Sequence, residues 1–182
     1  MSSFCTQGID STDGEPAEPT LLRWFALVVP PRREKVIGGM LRNKSYETLL
    51  PVHIRRHQYG PRARSFEIPL FPGYLFCRFD PAMRLPVLTT PGVLQVVGAG
   101  KTPIPVADDE LLALRRVMET GAPMIPHEFW QSGRKGRIHS GPLAGIEGIV
   151  VNAKPPVRLV LSVSLLQRSV LVEVDADCVS LA

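Results

Sequence analysis

Cysteine is scarce in this chain, and the patterns that would make a catalytic or metal site are missing. Three cysteines, Cys5, Cys77 and Cys178, lie far apart among 182 residues, and no CxxC pair occurs. That leaves no basis for a disulfide framework or a cysteine zinc site, and it fits a reducing cytoplasm. The four histidines, His53, His57, His127 and His139, include no HxxxH pair. No G-x-S-x-G elbow is present, and no carboxylate pair stands out. Gly98-Ala99-Gly100-Lys101-Thr102 ends like a phosphate-binding loop. Gln95 stands where the upstream glycine is required, however, and Pro103 and Pro105 forbid the helix that must follow. The sequence therefore reads as a non-enzyme, with no cofactor and no metal. Long apolar runs are lacking too. None approaches the ~18 residues of a membrane span. The first twenty residues lack the basic patch and apolar core of a secretory signal. A cytoplasmic protein without membrane contact is expected.

What is present is the composition of a soluble globular protein, 45% hydrophobic and 21% charged. The length suits two small domains, each with a modest core. Charge is uneven. Residues 1–20 hold four acids and no base; residues 21–119 hold 15 bases and 8 acids; residues 120–182 hold 6 bases and 5 acids. The middle segment is the part best suited to meet a polyanion.

Four segments emerge along the chain. Residues 1–20 are polar and Pro/Gly/Ser-rich, as in a disordered tail. Residues 21–120 alternate strand and helix signals. The run Leu22–Val29 is almost continuously apolar and predicts a strand buried on both faces. Val36, Ile37, Met40 and Leu41 recur at helical spacing. Strands are predicted over Tyr46–Ile54, Ser65–Leu70, Tyr74–Phe79 and Val93–Val97. Between the first two of these, Arg55, Arg56, Arg62 and Arg64 surround a Gly60-Pro61 turn signal, with His57 and Tyr59 interleaved. This predicts a projecting basic hairpin or loop. Its guanidinium groups can neutralise phosphates, and Tyr59 offers a stacking face to an unpaired base. Ala107–Glu119 predicts a helix, with Asp108, Asp109 and Glu110 at its positive end and Gly121 as its stop. Residues 121–132 show no periodicity and read as a linker. Residues 133–182 carry five short strand signals separated by glycine turns, a small antiparallel barrel.

Three ordered features resemble the NusG family across residues 22–182. They are the aromatic first strand Arg23-Trp24-Phe25-Ala26-Leu27, the element Phe71-Pro72-Gly73-Tyr74 followed by Thr90-Pro91-Gly92-Val93, and Gly141-Pro142-Leu143-Ala144-Gly145-Ile146-Glu147-Gly148, a KOW signature. Within that signature Gly141, Pro142 and Gly145 would form a tight turn, and Gly148 would let strands approach closely. Gly136 departs from the family's apolar residue and is expected to remove a core side chain. The resemblance implies an α+β fold: a four-stranded antiparallel sheet with flanking helices, then a five-stranded KOW barrel. It implies a monomeric elongation or antitermination factor that grips the clamp helices of the largest RNA polymerase subunit through Trp24, Phe71, Pro72 and Tyr74. Core packing is the competing role for those aromatics. By the same resemblance, the basic segment Arg55–Arg64 would face the non-template DNA strand.

The stretch Ile68–Pro81 looks closer to RfaH and related operon-specific antiterminators than to housekeeping members. The turn Leu165-Leu166-Gln167-Arg168 lacks the glycine found where Rho and a ribosomal protein bind housekeeping members, so the KOW partner stays open among a ribosomal protein, Rho and RNA. A KOW-containing RNA-binding or ribosome-associated module without polymerase contact is the alternative from another class.

Overall fold

The computed structural model describes residues 22–59, 62–128, 133–152 and 157–181, with 56–59, 62–63 and 152 known by their backbone alone. The expected tail and the Gly60-Pro61 turn lie outside the described residues. The elements run β1 (Arg23–Val28), α1 (Glu34–Asn43), β2 (Glu47–Leu49), β3 (Val52–Tyr59), β4 (Arg62–Pro69), β5 (Tyr74–Phe79), the single-turn α2 (Leu85–Leu88), β6 (Gln95–Val96), β7 (Gly98–Ala99), β8 (Thr102–Pro103) and α3 (Asp108–Thr120). They continue with β9 (Met124–Glu128), β10 (Arg134–Ile138), β11 (Glu147–Asn152), β12 (Val157–Val163), β13 (Arg168–Val174) and β14 (Val179–Leu181).

The N-terminal part is built on an antiparallel sheet in the order β2-β5-β1-β6. Because strand side chains alternate, β1 and β5 each serve two layers. Phe25, Leu27, Leu75, Cys77 and Phe79 pack with Ile37 and Leu41 of α1 and Val87 of α2. Trp24, Ala26 and Phe76 face the opposite way and join Leu111, Leu114 and Val117 of α3. The continuous apolar run of β1 is explained by this double burial. Gly38 of α1 stands where an added Cβ would already touch the Leu75 side chain at 3.5 Å, so the helix lies close on the sheet there. α3 ends where Gly121 turns left-handed, φ 68°, and donates its N–H to the Met118 carbonyl at 3.1 Å.

Three expectations about elements need correction. Tyr46–Ile54 is two strands, not one: the chain breaks at Leu50-Pro51, after which β2 pairs with β5 and β3 with β4. Pro51 cannot donate to a ladder, so the strand ends there. The strand at Val93–Val97 shortens to β6. The linker contains β9, which pairs with β13 from Arg168↔Glu128 to Val172↔Met124. Burial of Met124 anchors it. Pro126 is tolerated because β9 lies at the edge of the sheet.

The C-terminal part is thus a six-stranded antiparallel sheet, β14-β10-β11-β12-β13-β9. Its five expected strands are all present. Its core residues Ile138, Ile146, Leu161 and Val163 belong to the same apolar cluster as the face of α3. Both carboxylate oxygens of Glu110 accept from the Ser164 amide at 3.2 Å, and Arg116 donates to the Ala144 carbonyl at 3.4 Å.

Candidate functional site

Between β4 and β5 the chain makes a turn at Phe71-Pro72-Gly73. Gly73 takes φ +83°, a conformation other residues rarely adopt. Its N–H donates to Glu34 Oε1 at 2.9 Å, and its carbonyl accepts from the Val29 amide at 2.9 Å. Glu34, in the first turn of α1, is 2% exposed. Its carboxylate ties the turn to the start of α1, and the Val29 amide ties it to the end of β1. The turn is therefore fixed from two sides, and Pro72 is held outward in solvent. Glu34 went unnoticed in sequence; its only signal was an acid among the basic residues Arg32, Arg33 and Lys35.

The four residues assigned to a polymerase groove separate into two kinds. Trp24 is 9% exposed and Phe71 is 3% exposed. Phe71 meets Phe76 edge-on, with ring centroids 6.0 Å apart. These two pack as core residues in this arrangement. Tyr74 is half-buried against the same cluster, and Pro72 is exposed. The accessible part of the site is thus the Pro72–Tyr74 corner, backed by a packed aromatic layer.

The basic segment is a hairpin, β3 with β4, forming a two-stranded sheet of its own. The register pairs Ile54 with Glu67, Arg55 with Phe66, Arg56 with Ser65, His57 with Arg64, and Tyr59 with Arg62. Alternation puts Arg55, Arg64 and Phe66 on one face of the ribbon and Ile54, Ser65 and Glu67 on the other. Glu67 is paired with Lys35 of α1, which ties its face of the ribbon to that helix. Phe66 escaped notice in sequence because an aromatic in a strand reads as core; it is 44% exposed. His53, at the ribbon's base, is held below the ordinary histidine value by partial burial and then by the Arg55 charge.

In the KOW signature Gly141 and Gly145 take φ +82° and +90°, and Pro142 is exposed between them. An added Cβ on Gly148 would lie 2.7 Å from the Val160 carbonyl oxygen, closer than real Cβ contacts come. At Gly136 a Cβ would meet Val150 Cγ2 at 2.5 Å, so Val150 fills the space a side chain there would take. Gln167 supplies the left-handed conformation of the Leu165–Arg168 turn, φ 51°, in place of a glycine. Among the described residues no group of His, Cys, Asp or Glu could hold a metal ion, and no helix is long and apolar enough to cross a membrane. Burial raises the Cys77 thiol to about 12, so it is inert as a nucleophile.

Comparison with known proteins agrees with this architecture. Residues 22–115 match the family model described as "Transcription termination factor nusG". The transcription termination/antitermination protein NusG of Thermus thermophilus is 30% identical over 160 residues, covering 79% of this chain and 84% of that protein. NusG of Escherichia coli K12 is 29% identical over 135 residues, 71% of this chain and 74% of its own length. A solved structure concerning domain interaction in Thermotoga maritima NusG superposes with a TM-score of 0.55 at 20% identity, over 87% of this chain and 96% of that one. The fold and the sequence matches define a transcription factor with an N-terminal α+β domain and a C-terminal β domain. The chain belongs to the NusG family.

Proposed function

We propose that this protein is an elongation and antitermination factor that docks on the clamp helices of the largest RNA polymerase subunit and acts at selected operons. The observation that carries the docking surface is the Pro72–Tyr74 corner. It is exposed at its tip, pinned by Glu34 and backed by a rigid aromatic layer. A partner helix needs such a preorganised apolar edge, because little entropy is then lost on binding. Docking that bridges the polymerase cleft disfavours the open, paused clamp. A few kcal/mol of differential binding is enough to shift that population. The operon-restricted role is supported by the likeness of Ile68–Pro81 to RfaH. The C-terminal β domain supplies a second contact, to a ribosomal protein, Rho or RNA.

The test is capture of purified RNA polymerase and of ribosomes on the full chain, with Tyr74→Ala as the variant. Tyr74 is only partly buried, so its loss should weaken polymerase capture by about 2 kcal/mol while the chain still folds, as circular dichroism would show. Capture of ribosomes without polymerase would replace this function with that of a ribosome-associated module. Genome-wide occupancy confined to a few loci is the expected result for the operon-restricted role; uniform occupancy would refute it.

A further inference from the structure

We propose that β9 is a detachable strap on the edge of β13, and that this edge, once uncovered, accepts an extended segment of a partner protein by strand addition. The inference concerns the C-terminal β domain and does not rest on docking through the Pro72–Tyr74 corner.

The register fixes how β9 is held. Pro126 lies opposite Val170 and has no N–H, so that pair cannot exchange hydrogen bonds. Bonded and non-bonded pairs alternate along an antiparallel ladder, so the bonds fall on Ile125 with Leu171 and on His127 with Ser169. β13 thus turns the amides of Ser169 and Leu171 toward β9, and those of Val170 and Val172 toward β12. Its two sides differ in strength. Toward β12 it is matched residue for residue from Arg168 to Val174, and Val157, Leu159, Leu161, Val170 and Val172 are buried along the seam. Toward β9 it is held by the two bonded pairs and by one buried side chain, Met124. Ile125 is 48% exposed, and Pro126 and Glu128 stand in solvent. β9 can therefore leave while the β12–β13 seam stays whole. The edge it uncovers turns the backbone groups of Ser169 and Leu171 outward, a template for another strand. The occupant is read from β9 itself: an extended polypeptide antiparallel to β13, with an apolar side chain in the place of Met124. RNA has no backbone that could form this ladder. Because β9 is tethered, it competes at a high effective concentration and keeps weak partners off. Pro126 also denies the outer edge of β9 one donor, so the strap ends the sheet while it is in place.

Hydrogen exchange of the full parent chain in rising urea tests the strap without any substitution. The Ser169 and Leu171 amides should exchange through a local opening with little urea dependence. Those of Val170 and Val172 should need a larger opening with a steep urea slope. One common slope for all four would overturn the strap. An NMR titration then tests the edge, with a synthetic peptide of residues 122–128 as the probe. Ile125→Pro removes the N–H that bonds to Leu171 and leaves Met124 in place. This variant should bind the peptide at least about tenfold more tightly than the parent, because apparent affinity scales with the fraction of chains whose edge is open. Its shifts should centre on Ser169 and Leu171. Ile125→Ala keeps the N–H and should bind like the parent. No binding by either chain, equal affinity for Ile125→Pro and parent, or shifts centred away from that edge would each overturn strand addition. A gain in Ile125→Ala as large as that in Ile125→Pro would assign the effect to the side chain and overturn the ladder.

Discussion

Phe66 and Phe71 stand five residues apart and lead opposite lives. Phe71 ends the ribbon's descent into the domain, is 3% exposed, and locks against Phe76. Phe66 sits on the ribbon and is 44% exposed, opposite an arginine. The same side chain is a stability element in one place and a candidate contact in the other. The difference comes from layering. The β5–β1 sheet is covered on both faces, by α1 with α2 and by α3, whereas neither face of the ribbon is covered by a layer of its own. Aromatic residues in this family-like segment therefore cannot be pooled into one binding surface; each must be placed by what lies over it.

The largest expected effect breaks the comparison from the buried side. Phe71→Ala should cost about 3–5 kcal/mol of stability, because a cavity replaces a packed ring. Chemical denaturation measures it. A loss within about 0.5 kcal/mol, the usual range for a surface site, would show that Phe71 is not core.

Next comes the clip that separates the two environments. Glu34→Ala should destabilise by about 1–3 kcal/mol, because the buried Gly73 N–H loses its acceptor. Glu34→Gln keeps an acceptor oxygen and should recover most of the loss. Hydrogen exchange at the Gly73 amide reports the clip directly: it should be slow in the parent and in Glu34→Gln, and fast in Glu34→Ala. Equal exchange in all three would remove Glu34 from the turn.

From the exposed side, Phe66→Ala should change stability by no more than about 0.5 kcal/mol. A loss comparable to that of Phe71→Ala would mean that something covers the ribbon. The same denaturation curve decides it.

The smallest effect is a titration. Partial burial and the Arg55 charge lower the His53 value below 6.5, so folding favours its neutral form. Its contribution to stability is complete above pH 6.5 and is lost as pH falls through the lowered folded value. A histidine NMR titration should show this shift. Arg55→Gln should move the midpoint back toward 6.5 only in part, because burial is the larger cause. A full return would reverse that order and leave the ribbon's base unburied.

Much of the molecule was legible in the sequence where local chemistry and pattern agree. β1 could be read because a run without polar breaks is stable only between two layers, and α3 because acids, an apolar stripe and Gly121 mark both of its ends. The five C-terminal strands were visible from their glycine turns and Val-rich alternation. Other features were hidden. β9 lacks alternation, because Pro126 and His127 interrupt it, and only pairing with β13 makes it a strand. The break at Pro51 was masked by the β-forming residues on either side. Glu34 looked like one more charge in a basic run until Gly73 was placed 2.9 Å from it.

By itself the sequence settled what short-range physics settles: where the chain can be helix or strand, where glycine must turn it, and which ordered motifs it shares with the NusG family. Tertiary structure decided which apolar residues are covered. Burial depends on layers brought from far along the chain, as when α3, some eighty residues after Trp24, closes over it. It also decided the pairing that puts Arg55 beside Phe66 and Ile54 beside Glu67. Strand alternation is a local rule, but register is a relation between two strands, and a shift of one residue would have reversed every side chain.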